Sequence, residues 1–358
     1  MNRAARATVD TAALRHNLRS VRERAPNTRV MAVIKANAYG HGLVGVARAL
    51  READALAVAR LEEAVAIRNA GLDNRVVLLE GVFSVEQLPL ASALGLDIVV
   101  HSPEQVAMVE AASLPRPVSA WLKVDTGMNR LGFRPEAARD AAARLGRCPG
   151  IAPGLRFMTH LACADERDEA TTGHQVESFA AALEGLTGER SIANSAGLLW
   201  RDDTLADWVR PGIMLYGVSP FAEGSGAELG LRPAMRLTSS VIAVKDVGAG
   251  ERVGYGGVWA ADRDARIAIV AIGYGDGYTR HLGSGTPVLV RDRRAPLAGR
   301  ISMDMIAVDV TDVPETRVGD EVVLWGGELP VEELARRAGT IPYELLCGVT
   351  QRVGVTLV

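Results

Sequence analysis

Residues 32–42 read AVIKANAYGHG and place a lysine, Lys35, directly after a run of apolar residues. Lysine is among the residues least often buried without a partner. A lysine at such a point can simply mark where a strand reaches solvent. Alternatively, its amine lies at the mouth of a parallel sheet, where a lysine can form a Schiff base with a carbonyl group. The segment alone leaves both interpretations open.

Further polar residues follow other apolar runs. Lys123 and Arg130 occur in LKVDTGMNRLGF, His160 occurs in THLACAD, and Arg210 occurs in WVRPGIMLYG. An arginine in such an apolar segment must be paired or bind a ligand. His160 is either a hydrogen-bonded core histidine or the partner of a neighbouring arginine. If the runs are strands of one parallel barrel, these side chains gather at its catalytic edge.

An anion site is one interpretation of Ser195 and of the pair Gly212 and Ile213. Ser195 follows an apolar run and begins a predicted helix, and Gly212 lets backbone N–H groups approach a ligand closely. Both features suit a phosphate near a helix N-terminus. The same residues are also typical of an ordinary helix cap and an ordinary turn.

Three glycine-containing segments stand out in the last third of the chain: RVGYGG, GYGDGY and GRISMDM. Glycines leave Tyr255 and Tyr274 without neighbouring side chains that would cover them, so their phenols are expected to point outward. The alternative is a pair of β-turns closed by aromatic rings. For Met303, in GRISMDM, the residue type alone predicts a side chain packed in the core.

The elements that must position these residues alternate between strands and helices. Eight short apolar runs separated by amphipathic stretches predict parallel βα units, and eight is the number that closes a (β/α)₈ TIM barrel. An open doubly wound sheet explains the same alternation, but no GxGxxG follows the first run. The runs are 30–34, 55–59, 76–79, 98–100, 120–124, 155–159, 191–193 and 213–216, and the main helical stretches are 61–70, 84–94, 103–112 and 135–145.

The pattern changes after about residue 232. Runs rich in β-branched residues are separated there by Gly, Asp and Pro, with one clear helix at 331–338. We therefore expect an α/β protein with an N-terminal barrel domain, 1–231, and a mostly β C-terminal domain, 232–358. The first few residues are expected to pair with the second domain. The predicted strands of that domain are 241–244, 267–271, 287–290, 305–310 and 321–324.

Composition excludes several classes of protein. The 358 residues are 48% hydrophobic and 23% charged, which is enough for a large core. Forty basic and 43 acidic residues give a net charge of -3, which argues against nucleic acid as the main partner. Three widely spaced cysteines show neither a disulfide framework nor zinc-ligand spacing. Without a signal-like N-terminus or an apolar run of membrane length, we expect a soluble cytoplasmic protein with no metal.

The quoted motifs, together with IPYELLC, resemble the pattern of alanine racemases, enzymes of fold type III that depend on pyridoxal 5′-phosphate. The resemblance runs in order from about residue 5 to residue 353. It implies a homodimer whose active sites are shared between chains. It also implies interconversion of L-alanine and D-alanine, which serves either peptidoglycan synthesis or alanine catabolism.

The resemblance also implies roles for individual residues. Lys35 corresponds to the lysine that carries the cofactor and acts as one base. Tyr255 corresponds to the opposing base, supplied by the other subunit and acting on L-alanine, while the lysine acts on D-alanine. Arg210 corresponds to the arginine at the pyridine nitrogen, with His160 oriented against it.

The remaining roles concern the phosphate, the substrate and the entrance. Arg130 and Met303 match contacts to the substrate carboxylate, and Lys123 matches a lysine that many members carbamylate. The phosphate-binding set corresponds to Tyr39, Ser195, Gly212, Ile213 and Tyr343. The residues that narrow the substrate entrance correspond to Tyr274 and Tyr343. Two departures are Ser302, where a cysteine is frequent, and Gly354, where a proline is usual.

Three alternatives remain at this stage. The protein is an alanine racemase, another amino-acid racemase or decarboxylase of the same architecture, or a carrier of the cofactor without turnover. The pairing of Lys35 with Tyr255 favours an enzyme, because a carrier needs the lysine alone.

Overall fold

A computed structural model describes residues 4–167 and 170–358 and divides them into two compact units. The barrel unit comprises Arg15–Ala38 and Leu43–Leu215. The β unit comprises residues 4–14 together with Tyr39–Gly42 and Tyr216–Val358. A boundary at residue 231 stays a prediction, since the units are interleaved along the chain.

Strands and helices are numbered in chain order. The strands are β1 (Arg6–Val9), β2 (Arg29–Val33), β3 (Ala55–Val58), β4 (Val76–Leu78), β5 (Asp97–Val100), β6 (Ser119–Lys123), β7 (Arg156–Met158), β8 (Arg190–Ser191), β9 (Trp208–Val209), β10 (Met235–Val247), β11 (Arg252–Val253), β12 (Trp259–Ala260), β13 (Ala265–Val270), β14 (Pro287–Val290), β15 (Arg293–Pro296), β16 (Ile306–Asp309), β17 (Glu321–Trp325) and β18 (Gly354–Leu357). The α-helices are α1 (Thr11–Arg24), α2 (Lys35–Tyr39), α3 (Leu43–Ala49), α4 (Leu61–Asn69), α5 (Leu88–Ala93), α6 (Pro103–Ala111), α7 (Ala138–Arg147), α8 (Thr171–Ala182), α9 (Ser195–Trp200), α10 (Val331–Ala338) and α11 (Pro342–Cys347).

The barrel unit contains a closed parallel barrel of eight strands, β2 to β9. The ring closes where β2 pairs in parallel with β9, with Arg29 opposite Trp208 and Val30 opposite Val209. The strands are short and almost wholly buried, which explains why each reads as a continuous apolar run rather than an alternating one. The predicted TIM barrel is confirmed, and the open doubly wound sheet is excluded.

The prediction that residues 213–216 form the eighth barrel strand is wrong. Ile213–Tyr216 forms a 3₁₀ turn, and the eighth strand is the preceding pair Trp208–Val209. A short apolar run does not distinguish a strand from another buried segment, and Pro211 with Gly212 ends the strand early. The correction places Arg210 directly after the strand, at its C-terminal end.

The amino ends of the barrel strands carry a network of ions. Arg156 lies 3.7 Å from Asp97 and donates to Glu189 over 2.7 Å, so it joins the two carboxylates. Trp208 Nε1 also donates to Glu189 over 3.0 Å, and Arg29 pairs with the same carboxylate. Burial alone would raise the pKa of Glu189, but these donors outweigh it and lower the pKa to about 2. Glu189, which directly precedes β8, therefore ties the first strand of the barrel to the last three.

The β unit is built on a sheet in the order β15–β14–β17–β10–β1–β18, to which β13 and β16 are added through β10. Strand β1 pairs antiparallel with β10 and parallel with β18. The helix predicted at 331–338 is confirmed as α10. Helix α11 was not predicted, because its six residues are too few to show a helical period.

Across the two described ranges, none of the helices combines the length and apolarity needed to cross a bilayer.

Candidate active site

The segment numbered α2, directly after β2, is a left-handed turn and not a right-handed α-helix. Ala36, Asn37 and Ala38 have φ values of 54°, 53° and 54°, and Tyr39 has a φ of 52°. This conformation costs each non-glycine residue about 1–2 kcal/mol of conformational free energy. Four in succession are unusual, and such backbone strain concentrates at functional sites. The turn begins at Lys35, which is half-buried at the C-terminal end of β2.

Side chains of the barrel unit hold this turn in place. The backbone N–H of Asn37 donates to Glu63 Oε1 over 3.2 Å, and the Asn37 Oδ1 accepts the N–H of Leu43 over 2.9 Å. The second Glu63 oxygen accepts the N–H groups of Ala59 at 3.0 Å and Arg60 at 3.2 Å, at the start of α4. Glu63 therefore fastens the turn that carries Lys35 to the next βα unit.

Arg210 is 5% exposed, and backbone and side-chain oxygens surround its guanidinium. It donates to Ser191 Oγ over 2.6 Å, to the Ile192 carbonyl over 3.2 Å and to the Thr159 carbonyl. Burial lowers the pKa of Arg210 to about 10, which still leaves a full positive charge at neutral pH. A buried cation without a carboxylate among these partners favours an anionic or electron-rich ligand.

His160 lies against this arginine, with its Nδ1 3.5 Å from the Arg210 guanidinium. Burial first, and then the charges of Arg210, Lys123 and Arg130, hold the pKa of His160 well below its usual value. The imidazole is therefore neutral at physiological pH. Its contact with Arg210 answers the question that the sequence left open, because His160 is paired with a neighbouring arginine.

Lys123 is 8% exposed and lies in the same region of positive charge. Burial, followed by the charges of Arg210, Arg130 and Lys35, lowers the pKa of Lys123 to about 8, against the opposing effect of Asp125. A lysine with this pKa carries a substantial neutral fraction just above neutral pH, and a neutral amine is a nucleophile. The charges of Lys35, Arg130 and Arg210 therefore act on both Lys123 and His160, which brings together the five residues predicted from the strand ends.

Arg130 is exposed on a tightly folded loop that follows β6. Asp125 Oδ1 accepts the N–H groups of Gly127 at 3.1 Å and Asn129 at 2.9 Å. Gly132, with a φ of 129°, lets the loop return so closely that an added Cβ would lie 2.7 Å from the Asp125 nitrogen. The loop presents the Arg130 side chain on a fixed backbone.

The predicted anion-binding residues of the barrel unit are in contact with one another. Ser195, the first residue of α9, accepts the N–H of Gly212 over 2.8 Å and that of Met214 over 3.4 Å through its Oγ. Ser195 is 4% exposed, and Ile213 lies between the two donors and is fully buried. Because the Ser195 oxygen accepts from both backbone groups, its own hydrogen remains to donate to a third group.

Tyr39 and Tyr343 come together within the β unit. Their ring centroids lie 5.9 Å apart, and the Tyr39 ring stacks on Tyr216 at 4.7 Å. Burial first, and then Tyr343 and Cys347, raise the pKa of Tyr39 far above its usual value. The Tyr39 phenol therefore keeps its proton and is a hydrogen-bond donor at every physiological pH.

Tyr274 and Met303 are neighbours in the β unit. The Tyr274 N–H donates to the Ser302 carbonyl over 3.1 Å, and the Gly275 N–H donates to the Met303 carbonyl over 2.9 Å. An added Cβ at Gly273 would lie 2.3 Å from the Met303 oxygen, so the first glycine of GYGDGY is required for this close approach. Met303 is 53% exposed, which contradicts a core role for its side chain.

Tyr255 is 65% exposed and lies between glycines 254 and 256, both with a φ of 74°. These left-handed positions favour glycine, so the glycines of VGYGG set the path of the backbone and leave the phenol uncovered. The expectation that Tyr255 points outward is confirmed.

Sequence reasoning missed the residues that hold the site residues in place. Asn37 and Glu63 bind backbone groups in and next to the turn that carries Lys35. Gln175 binds the His160 carbonyl and, in the loop that carries Arg130, the Thr126 hydroxyl. Their sequence context gives little signal, since each is a single polar residue in an otherwise ordinary segment.

Comparison with known proteins identifies the family. The sequence model of the alanine racemase N-terminal domain matches residues 9–220, and that of the C-terminal domain matches residues 234–357. An alanine racemase of Vibrio cholerae is 52% identical over 351 residues, covering 98% of this chain and 97% of that protein. The crystal structure of the biosynthetic alanine racemase from Pseudomonas aeruginosa is 50% identical and has a TM-score of 0.96, with 100% of both chains covered. The alanine racemase from Acinetobacter baumannii is 37% identical, with a TM-score of 0.94 and the same coverage. This chain therefore belongs to the alanine racemase family.

Proposed function

We propose that the protein is a pyridoxal 5′-phosphate-dependent alanine racemase that interconverts L-alanine and D-alanine through two bases, Lys35 and Tyr255. The observation that carries the proposal is the concentration of positive charge around buried Arg210. Burial and these charges together hold the pKa of Lys123 and of His160 below their usual values. Such a region suits a ligand that brings a phosphate, as pyridoxal phosphate does, and a substrate that brings a carboxylate.

The described residues fit this cofactor. Ser195 has a hydrogen left to donate, because its oxygen already accepts two backbone N–H groups. The Tyr39 phenol keeps its proton and can donate as well. The residues proposed to hold the cofactor are Lys35, Tyr39, His160, Ser195, Arg210, Gly212, Ile213 and Tyr343. When bound, pyridoxal phosphate supplies an electron sink that makes the Cα proton of an amino acid removable.

Arg210 and His160 would set the strength of that sink. An arginine with a pKa of about 10 remains a donor at physiological pH, so Arg210 would disfavour a proton on the pyridine nitrogen of the cofactor. In this way Arg210 would weaken the electron sink that the cofactor supplies and would limit side reactions. His160, held neutral beside Arg210, orients the guanidinium without adding a second charge.

Racemisation requires that a proton leave one face of Cα and that another arrive on the opposite face. One base on each face is the simplest arrangement, and Lys35 and Tyr255 are proposed for these positions. Tyr255 is exposed in the single chain, as is Met303. This exposure supports a homodimer in which each chain lends Tyr255 and Met303 to the site of its partner.

Arg130 is proposed to bind the substrate carboxylate together with Met303, and Lys123 to position Arg130 after carbamylation. In that reaction the neutral amine adds to CO₂, an N–C bond forms, and one proton is released to solvent. The product is an anion, so the charge at Lys123 would change from positive to negative beside two arginines. The pKa of about 8 supports this step, because it supplies the neutral amine.

Tyr274 and Tyr343 are proposed to narrow the substrate entrance and to favour alanine over larger amino acids. A cytoplasmic location and a role in supplying D-alanine for peptidoglycan belong to the same proposal, with alanine catabolism as the alternative role. Ser302 stands where a cysteine is frequent in the family. Comparing the racemisation rates of Ser302→Cys and the parent protein on alanine and on serine tests whether Ser302 changes the substrate pocket.

The proposed function is tested by incubating the purified holoprotein with L-alanine and following D-alanine by chiral chromatography. Equal amounts of the two enantiomers are expected at completion, with no product from Lys35→Ala. Bound cofactor without any D-alanine would support a carrier instead. Faster conversion of larger amino acids than of alanine would support a racemase of broader specificity.

A further inference from the structure

Gln175 lies on α8 and is 1% exposed, although no role for it was predicted. Its Oε1 accepts the backbone N–H of Ala162 over 2.9 Å. Its Nε2 donates to the His160 carbonyl over 3.1 Å and to Thr126 Oγ1 over 3.2 Å. Both amide hydrogens and one lone pair are therefore used, and a flipped amide would set its NH₂ group against the Ala162 N–H. This fixes the orientation of the side chain.

One branch of this network leads to Arg210. Thr159 immediately precedes His160, and its carbonyl accepts from the Arg210 guanidinium. The Thr159 hydroxyl lies 2.8 Å from that of Thr126, which in turn accepts from Gln175. Gln175 thus holds the segment 159–160 from one side while Arg210 binds it from the other.

The second branch leads to Arg130. Thr126 belongs to the loop 125–133, whose backbone is organised by Asp125. Thr126 anchors this loop to the rest of the unit through its two side-chain partners, Gln175 and Thr159. A change in the Gln175 amide would therefore move the Arg130 loop relative to the His160 and Arg210 pair.

A second glutamine makes the same kind of connection elsewhere on the barrel. Gln105, on α6, is 5% exposed. Its Oε1 accepts the His101 N–H over 2.9 Å, and its Nε2 donates to the carbonyls of Glu80 at 3.1 Å and Val82 at 3.0 Å. Gln105 therefore joins the loops after β4 and β5, which carry none of the proposed site residues. It provides a matched control with an equal number of hydrogen bonds and similar burial.

We propose that Gln175 is a positioning residue that sets the distance between Arg130, which binds the substrate carboxylate, and the His160–Arg210 pair at the cofactor. The inference rests on the proposed function and deepens it. Gln175 acts through the backbone of the His160 segment and through the Thr126 side chain of the Arg130 loop, and it touches neither substrate nor cofactor. Because the same amide serves both loops, its loss should affect substrate binding and cofactor binding together.

The test compares Gln175→Met and Gln105→Met, which remove three hydrogen bonds each at nearly unchanged volume. Both should lower the melting temperature by similar amounts. Only Gln175→Met should raise KM for alanine, by about tenfold, with a smaller change in kcat, and weaken binding of pyridoxal phosphate to the apoprotein several-fold. Gln175→Glu, which keeps the acceptor and loses both donors, should show the same pattern and serves if the methionine variant fails to fold.

Hydrogen–deuterium exchange supplies a readout that needs no activity. Amides of residues 125–133 should exchange faster in Gln175→Met than in Gln105→Met. Equal KM, equal cofactor affinity and equal exchange in the two methionine variants would overturn the positioning role while leaving the racemase proposal intact. A parent protein that binds the cofactor but does not racemise alanine would instead overturn the proposed function, and with it the catalytic meaning of the hydrogen bonds made by Gln175.

Discussion

Ala36→Gly should stabilise the protein, although alanine-to-glycine changes usually destabilise. Ala36 is exposed, and its φ and ψ are both 54°, in the left-handed region. This conformation is unfavourable for alanine because its Cβ comes too close to the following carbonyl oxygen, whereas glycine has no Cβ. The side chain removed is a single exposed methyl group, so little packing is lost.

The magnitude follows from two opposing terms. Relief of the left-handed conformation is worth about 1–2 kcal/mol. Glycine loses about 0.5–1 kcal/mol more backbone entropy than alanine when it is ordered. The net expectation is an increase of about 0.5–1 kcal/mol in the free energy of unfolding. For a chain of this size, that corresponds to a melting temperature about 1 °C higher.

Ala143→Gly is the matched control. Ala143 is exposed in the middle of the right-handed helix α7. There the same substitution should lower the free energy of unfolding by about 1 kcal/mol. Calorimetry and urea titration of the cofactor-free proteins should give shifts of opposite sign for the two variants. If Ala36→Gly destabilises as much as Ala143→Gly, the segment after Lys35 is not left-handed and the reasoning is wrong.

Four further outcomes are expected. Glu189→Gln should destabilise by about 1–2 kcal/mol at pH 7 after allowance for its partial exposure, whereas Glu110→Gln, in an exposed ion pair, should change the melting temperature little. Because the pKa of Glu189 is lowered to about 2, its contribution is fully present above about pH 4.5, and the difference from the parent should shrink as pH falls from there toward 2 in urea titrations. Borohydride reduction should attach the cofactor to the peptide containing Lys35, and an adduct on Lys123 would contradict the assignment. Mixing Lys35→Ala with Tyr255→Phe chains should restore some activity after subunit exchange, and no recovery would argue against a shared site. Incubation with ¹³C-labelled CO₂ should give a carbamate signal that is missing in Lys123→Ala, and an unchanged signal would exclude carbamylation at that position.

The barrel could be predicted because buried parallel strands leave continuous apolar runs, and the polar residues at the ends of these runs indicated the edge of the proposed site. Lys35, Lys123 and His160 were located in this way. The last strand was misplaced because Ile213–Tyr216 is as apolar as a strand but follows Pro211, which ends the pairing at Val209. Burial alone does not tell a strand from a buried turn.

Two features had no sequence signal. A left-handed turn is normally expected at glycine, and Ala36 and Ala38 gave no indication of one. Tertiary hydrogen bonds to Glu63 override the local preference there. The connections made by Gln175 join residues far apart in the chain, so they follow from the fold and not from any local pattern.

Deuterium exchange in the Tyr255→Phe variant tests the two-base assignment most directly. Removing one general base typically costs about two to four orders of magnitude in rate, so racemisation in both directions should nearly stop. In D₂O, the residual exchange of the Cα proton should occur mainly with D-alanine, through Lys35, and hardly at all with L-alanine. Equal exchange of both enantiomers, or faster exchange of L-alanine, would contradict the assignment of Tyr255 to the L-specific face.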